Sequence, residues 1–193
     1  MMHLRAAHSL FLGVTMLAAC ARGDTGATDT AGSSGPTAAA APGAETGRPA
    51  PQSPEHDFLR RMIDHHEGLI QMATTAMSKA STSATQGDAH NLHTKQAEEQ
   101  KKMIADVQAQ YNEVVTPMVM PQHKAMVDSL ATKTGAEYDR TFYRLTIEHH
   151  REAVRMVDEM LPRFTKADVK AMAEKMKSDQ QREISAFERK ARA

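Results

Sequence analysis

The chain has 193 residues, in which 24 Lys and Arg balance 24 Asp and Glu to leave no formal net charge. That balance argues against a nucleic-acid partner, which would demand a basic excess. A single cysteine excludes an internal disulfide framework. Of the 14 Met, three (Met1, Met2 and Met16) stand near the start, while aromatic residues make up 4% of the chain and Trp is absent. Methionine therefore takes the bulky core role, either as a flexible gap filler or as a soft metal ligand where free thiols would oxidise.

In chain order, residues 1–19 read as an export signal: Arg5 precedes an apolar run from Ser9 to Ala19 that is too short to span a bilayer. The run ends in Leu17-Ala18-Ala19-Cys20, which resembles a lipoprotein cleavage box and predicts lipidation of Cys20. Residues 20–56 are rich in Ala, Gly, Thr, Ser and Pro and hold almost nothing large and apolar, so they read as a tether too poor in hydrophobic surface to order itself. Residues 57–193 are enough for one domain.

Strand signals are missing from that domain, and apolar residues recur with helical period, so the fold class is all-α. Helices are predicted over about 57–80, 88–113, 137–161 and 166–191, with a shorter helix between Pro117 and Gly135. Pro162 closes the third helix, and Thr165 with Asp168 reads as a capping box for the fourth.

An internal repeat organises these helices. Phe58-Leu-Arg-Arg-Met-Ile-Asp-His65-His66-Glu-Gly-Leu-Ile-Gln-Met72 returns as Phe142-Tyr-Arg-Leu-Thr-Ile-Glu-His149-His150-Arg-Glu-Ala-Val-Arg-Met156. The second and fourth helices match through Leu92, Gln96, Glu99, Gln100, Ile104 and Val107 against Met172, Met176, Asp179, Gln180, Ile184 and Phe187. Each repeat is then a helical hairpin that cannot cover its own apolar stripe, and two of them pack as an antiparallel four-helix bundle.

At about 100° per residue, all four paired histidines fall on the core-facing side of their helices, with Arg60, Asp64 and Glu67 on the outer side. Inward imidazoles need partners. A facing Glu99, Gln100, Asp179 or Gln180 could supply them; alternatively the histidines hold a metal. His65 and Met72 lie two turns apart on one helix line, as do His149 and Met156, and Met160 extends the second line. With His66, His150 and Met62 these residues form the candidate copper site, because imidazole with thioether suits Cu(I) or Cu(II). Two further soft-ligand groups are possible secondary sites: Met118, Met120, His123 and Met126, and the pair His90 and His93.

The stretch Met62-Ile63-x-His65-His66-x-Gly68-x-Ile70-x-Met72-Ala73 resembles the signature of the bacterial secreted "domain of unknown function 305" family, and the resemblance covers both repeats. It implies a ferritin-like four-helix bundle and, as in some periplasmic members, copper handling through His and Met. The second copy departs from the signature at Thr146, where the first has Met62, and at Glu152, where the first has Gly68, which predicts unequal binding by the two copies.

A di-iron oxidase of the ferritin type would need Glu-x-x-His on two helices, and no Glu in the chain has His three residues later. No nucleophile elbow or phosphate-binding glycine loop is present, so no enzymatic activity is expected. The reading is a copper-sequestering or copper-carrying lipoprotein, anchored in the cell envelope by its N-terminal lipid and facing the periplasm if the cell has an outer membrane, with the metal ion as its partner. The rival is a helical lipoprotein that only packs or docks.

Overall fold

The computed structural model describes residues 47–192. The expected leader, Cys20 and most of the expected tether lie outside them. Helix α1 spans Pro54–Lys79, α2 Ser83–Tyr111, α3 Pro121–Ala131, α4 Gly135–Met160 and α5 Ala167–Lys190, with one turn of 3-10 helix at Leu161–Arg163. No strand occurs among the described residues, as the periodicity predicts.

α1 opens three residues ahead of its expected start. Ser53 caps it by accepting from the His56 N–H, and Pro54 occupies the first turn, where a missing N–H costs nothing. α2 likewise starts ahead of the expected Asp88, because Thr82 accepts from Thr85 N–H at 3.2 Å. Asn112, at φ 54°, ends α2 in the left-handed conformation that Asn tolerates. α3 is the predicted short helix, with Pro121 in its first turn.

α1 packs on α2 and α4 on α5, and the two hairpins meet through α1 and α4, with α3 lying over both. The neighbouring helices run antiparallel: Arg61 near the start of α1 reaches Met160 at the end of α4, and Lys190 at the end of α5 reaches Asp88 near the start of α2.

The two hairpins are related by the 84-residue offset that separates His65 from His149. That offset pairs Gln96 with Gln180, Glu99 with Glu183 and Met103 with Phe187, one helical turn away from the match that sequence comparison of α2 with α5 suggests. The slip is natural, since a shift of four residues leaves an apolar stripe almost in place.

Burial divides the interior into three layers. One apolar cluster contains Phe58, Leu59, Met62, Ile63, Met103, Val107, Met156, Val157, Met160 and Met176. The other contains Leu69, Met72, Ala73, Leu92, Met126, Leu130, Tyr138, Phe142 and Phe187. Between them crosses a belt of buried polar side chains: His65, His66, Gln96, Gln100, His123, His149, His150 and Gln180.

The outer face of α1 is covered as well. Asp64 accepts two bonds from the Arg48 guanidinium at 2.6 and 3.0 Å and one from Met118 N–H at 3.0 Å. Arg60 donates to Pro49 O at 2.7 Å. Both residues are buried rather than solvent-facing, because the segments before α1 and after α2 lie across this face. The last residues of the expected tether are thus bonded to the helices.

Candidate metal centre

The middle of α1 and the middle of α4 each deliver one histidine to the same point. His65 and His149 stand with ring centroids 3.7 Å apart. α3 brings a third ring, His123, at 4.7 Å from His65 and 4.6 Å from His149. One nitrogen from each of the three lies within 4.8 Å of the others, and all three residues are buried. Among the described residues this is the group of His, Cys, Asp and Glu side chains close enough to share an ion.

α3 can approach this closely because of Gly68. A Cβ there would stand 2.6 Å from His123 Cβ and 2.7 Å from His123 Nδ1, well inside van der Waals contact. The glycine of the repeat signature is therefore a seat for the third histidine.

Hydrogen bonding fixes which nitrogens are free. His149 Nε2 is 2.8 Å from the His65 carbonyl oxygen, which can only accept, so Nε2 carries the proton and donates. His123 Nε2 is 2.9 Å from Glu152 Oε2 and donates to it. The lone pairs of these two rings are left on Nδ1, and neither Nδ1 has a protein partner. Both nitrogens of His65 are also without one. Unpartnered buried polar atoms are rare and costly; three imidazoles offering them at one point form a donor set for a metal ion.

Electrostatics keep the donors available. Burial pushes His65 well below the usual histidine pKa, and the neighbouring rings of His149 and His123 push it further in the same direction. Burial does the same to His149, helped by His123 and His150. Both rings are neutral at pH 7, the form that ligates.

The other two histidines of the repeated pairs turn away. His66 Nε2 meets Glu99 Oε2 of α2 at 3.1 Å. At the equivalent place His150 Nε2 lies 2.9 Å from Glu183 Oε2 of α5, with the groups out of line for a hydrogen bond. Burial would raise the Glu183 carboxyl pKa, but adjacent His150 and Lys95 hold it below the usual carboxylate value. Lys95 donates to Glu183 at 2.7 Å and stands 3.4 Å from Asp179, closing α2 against α5 over the belt.

The methionines flank the centre. Met62, Met156 and Met160 pack in the cluster on one side of the belt and Met72 in the cluster on the other. Met160 Sδ lies 3.5 Å from an Arg61 nitrogen. Of the secondary candidates, His123 belongs to the centre itself, and Met126 is buried in the second apolar cluster. Met118 is exposed, and Met120 is half-buried with its sulfur 3.6 Å from Gln122 Nε2. His90 is exposed and His93 half-buried on α2.

Sequence reasoning placed His123 in a separate cluster and gave Glu152 no role. The signal for both was the exchange of Gly68 for Glu152 at equivalent positions: the first makes room for His123, and the second binds it.

An all-helical fold that gathers three buried imidazoles inside two duplicated hairpins defines a helical histidine-centred protein with the donors of a metal site. The chain matches the family described as "Domain of unknown function (DUF305)" over residues 21–108 and 55–191. It belongs to that family.

Among solved structures it is similar to CopM in the Cu(II)-bound form, with 27% identity, TM-score 0.63, and coverage of 74% of this chain and 98% of that one. CopM in the Cu(I)-bound form is also 27% identical, with TM-score 0.61 over 70% of this chain and 93% of that one. A DUF305 fragment from Deinococcus radiodurans, at 24% identity and TM-score 0.65, covers 74% of this chain and 98% of its own, and shares the fold. No curated protein matches the chain in sequence.

Proposed function

We propose that this protein binds copper at His65, His123 and His149 and serves as a sequestering or carrying protein of the cell envelope, without enzymatic activity of its own. The observation that carries the proposal is the set of unpartnered, buried imidazole nitrogens at one point. Three imidazole donors suit three-coordinate Cu(I), and they favour Cu(II) over Zn(II) because nitrogen donors follow the order of increasing affinity up to copper. Buried methionines on both sides of the belt supply soft, polarizable surroundings and a reserve of thioether ligands in Met62, Met72, Met156 and Met160. CopM, known in Cu(I)-, Cu(II)- and silver-bound forms, supports the same choice of metal.

The Leu17-Ala18-Ala19-Cys20 stretch supports export and anchoring through a lipid on Cys20. No helix among the described residues is long and apolar enough to cross a membrane.

The test is titration of the purified protein with Cu(I), Cu(II) and Zn(II), followed by metal analysis, beside a variant carrying His65→Ala, His123→Ala and His149→Ala. Copper uptake by the parent that the variant loses is the expected result. Absence of copper uptake, or tight Zn(II) binding with weak copper binding, would overturn the reading and leave a helical protein that docks or packs.

A further inference from the structure

Among the described residues, Glu152 is the carboxylate at ion-pair distance from two of the three histidines, His123 and His65. Its Oε2 stands 2.9 Å from His123 Nε2 and 3.8 Å from His65 Nε2. Unlike the rings, which are sealed, its side chain is 25% exposed, so it sits at the rim with room to turn. The repeat makes the placement one-sided. The equivalent position on α1 is Gly68, which has no side chain to offer.

We propose that Glu152 is an oxidation-state-dependent fourth ligand of the centre: bonded to His123 when Cu(I) is held, and turned onto the metal when Cu(II) is held. The inference rests on the copper reading above and adds a residue and a selectivity to it.

Two arguments support it. The first is coordination number. Cu(I), a closed-shell ion, is satisfied by three imidazoles, whereas Cu(II) prefers a tetragonal set of nitrogen and oxygen donors and needs at least one more ligand. The second is charge. The site is buried between two apolar clusters and the rings of His65 and His149 are held neutral, so a bound cation enters a medium where an uncompensated charge is costly. For Cu(I), Glu152 acts only from the partly exposed rim, where solvent screens a carboxylate that does not touch the metal, so its contribution there is small. For Cu(II) the charge is double, and bringing the carboxylate into contact gives the strongest compensation available.

When Glu152 leaves His123, the His123 Nε2–H loses its acceptor. The partly exposed rim is where water can replace it, so the movement need not leave that proton buried and unpaired.

The test is Glu152→Gln, which keeps the shape and the acceptor oxygen for His123 but removes the charge and the carboxylate ligand. Affinities for Cu(I), by competition with a chromophoric chelator, and for Cu(II) are measured with the reduction potential and the Cu(II) electron paramagnetic resonance spectrum. We expect Cu(II) affinity to fall at least 30-fold and Cu(I) affinity to change less than about threefold. With Cu(I) affinity unchanged, a 30-fold loss raises the potential by about 90 mV, at 59 mV per factor of ten for one electron. Glu152→Asp, a shorter carboxylate, should restore part of the Cu(II) affinity. Equal losses for both oxidation states, or an unaltered Cu(II) spectrum, would overturn the proposal while leaving the copper site standing. A parent protein that takes up no copper in either state would overturn both.

Discussion

Glu55 in the first turn of α1 and Asp139 near the start of α4 are equivalent under the repeat, and each closes the second helix of the opposite hairpin. Glu55 Oε1 accepts from Thr165 N–H, from the Thr165 hydroxyl at 3.0 Å and from Lys166 N–H at 3.0 Å, at the start of α5. Asp139 accepts from Ser81 N–H at 2.7 Å and Thr82 N–H at 3.1 Å, at the start of α2. The two hairpins are thereby cross-locked at both ends, and the capping box expected from Thr165 and Asp168 is replaced by an acid from another helix.

The locks predict acid lability. Burial would raise the Glu55 pKa, but the donors from Thr165 and Lys166 outweigh it and bring the carboxyl to about 2, below its ordinary 4.5. A depressed folded-state value means that the stabilisation is complete above about pH 4.5 and is lost as pH falls towards 2, a contribution of about 3 kcal/mol. Glu55→Gln should therefore destabilise the protein at pH 7 by roughly 1–3 kcal/mol and cost much less at pH 2.5. Thermal melts followed by circular dichroism at the two pH values decide it, and equal losses at both would show that the charge on Glu55 is not what holds α5.

The histidines predict a separate window. Because burial and neighbouring rings hold His65 and His149 well below the ordinary histidine value of 6.5, the unfolded chain binds protons that the folded metal-free chain refuses. Stability from this source is full above pH 6.5 and declines as pH falls below it. His149→Phe should flatten the dependence of metal-free stability on pH between about 6.5 and 5. Urea unfolding across that range measures the slope; an unchanged slope in the variant would mean the rings protonate freely in the fold.

Gly68→Ala should damage the centre more than the fold. The added Cβ meets His123 at 2.6 Å, and relief requires α3 to lift. We expect a loss of about 1–3 kcal/mol in stability, the usual range for overpacking, with copper affinity reduced about tenfold or more. Copper competition alongside a chemical melt separates the two; full affinity in a destabilised variant would show that His123 is dispensable.

Since His65 and His149 belong to one centre, His65→Ala and His149→Ala should lower copper affinity by similar factors, in place of the inequality that Met62 and Thr146 suggest. His66→Ala should act chiefly on stability, by leaving Glu99 without its partner. A chelator competition on the three variants tests this, and a greater affinity loss in His66→Ala than in His65→Ala would reassign the ligands.

A chain beginning at Gly47 should melt higher than one beginning at Ser53, because only the first retains Arg48, which bonds Asp64 and the Thr116 carbonyl. Equal melting temperatures would show that this strap contributes nothing measurable.

By itself the sequence determined the helices, the duplication and the inward aim of the paired histidines, because each is written in local periodicity: apolar residues every three to four positions and a long match between two segments. It also carried the family signature, and with it Gly68. What only the tertiary structure decided is how the pairs divide and who completes them. Helical spacing places His65 and His66 on the same broad face, yet one turns to α4 and the other to Glu99 on α2, and the choice depends on which helix packs on each side. His123 comes from a helix outside the repeat, seated where Gly68 happens to leave space. The partners of Glu55 and Asp139 lie across the bundle, 110 and 57 residues away along the chain, a separation at which no local pattern specifies contact. Periodicity tells which face of a helix is buried; against what it is buried is a property of the assembled helices.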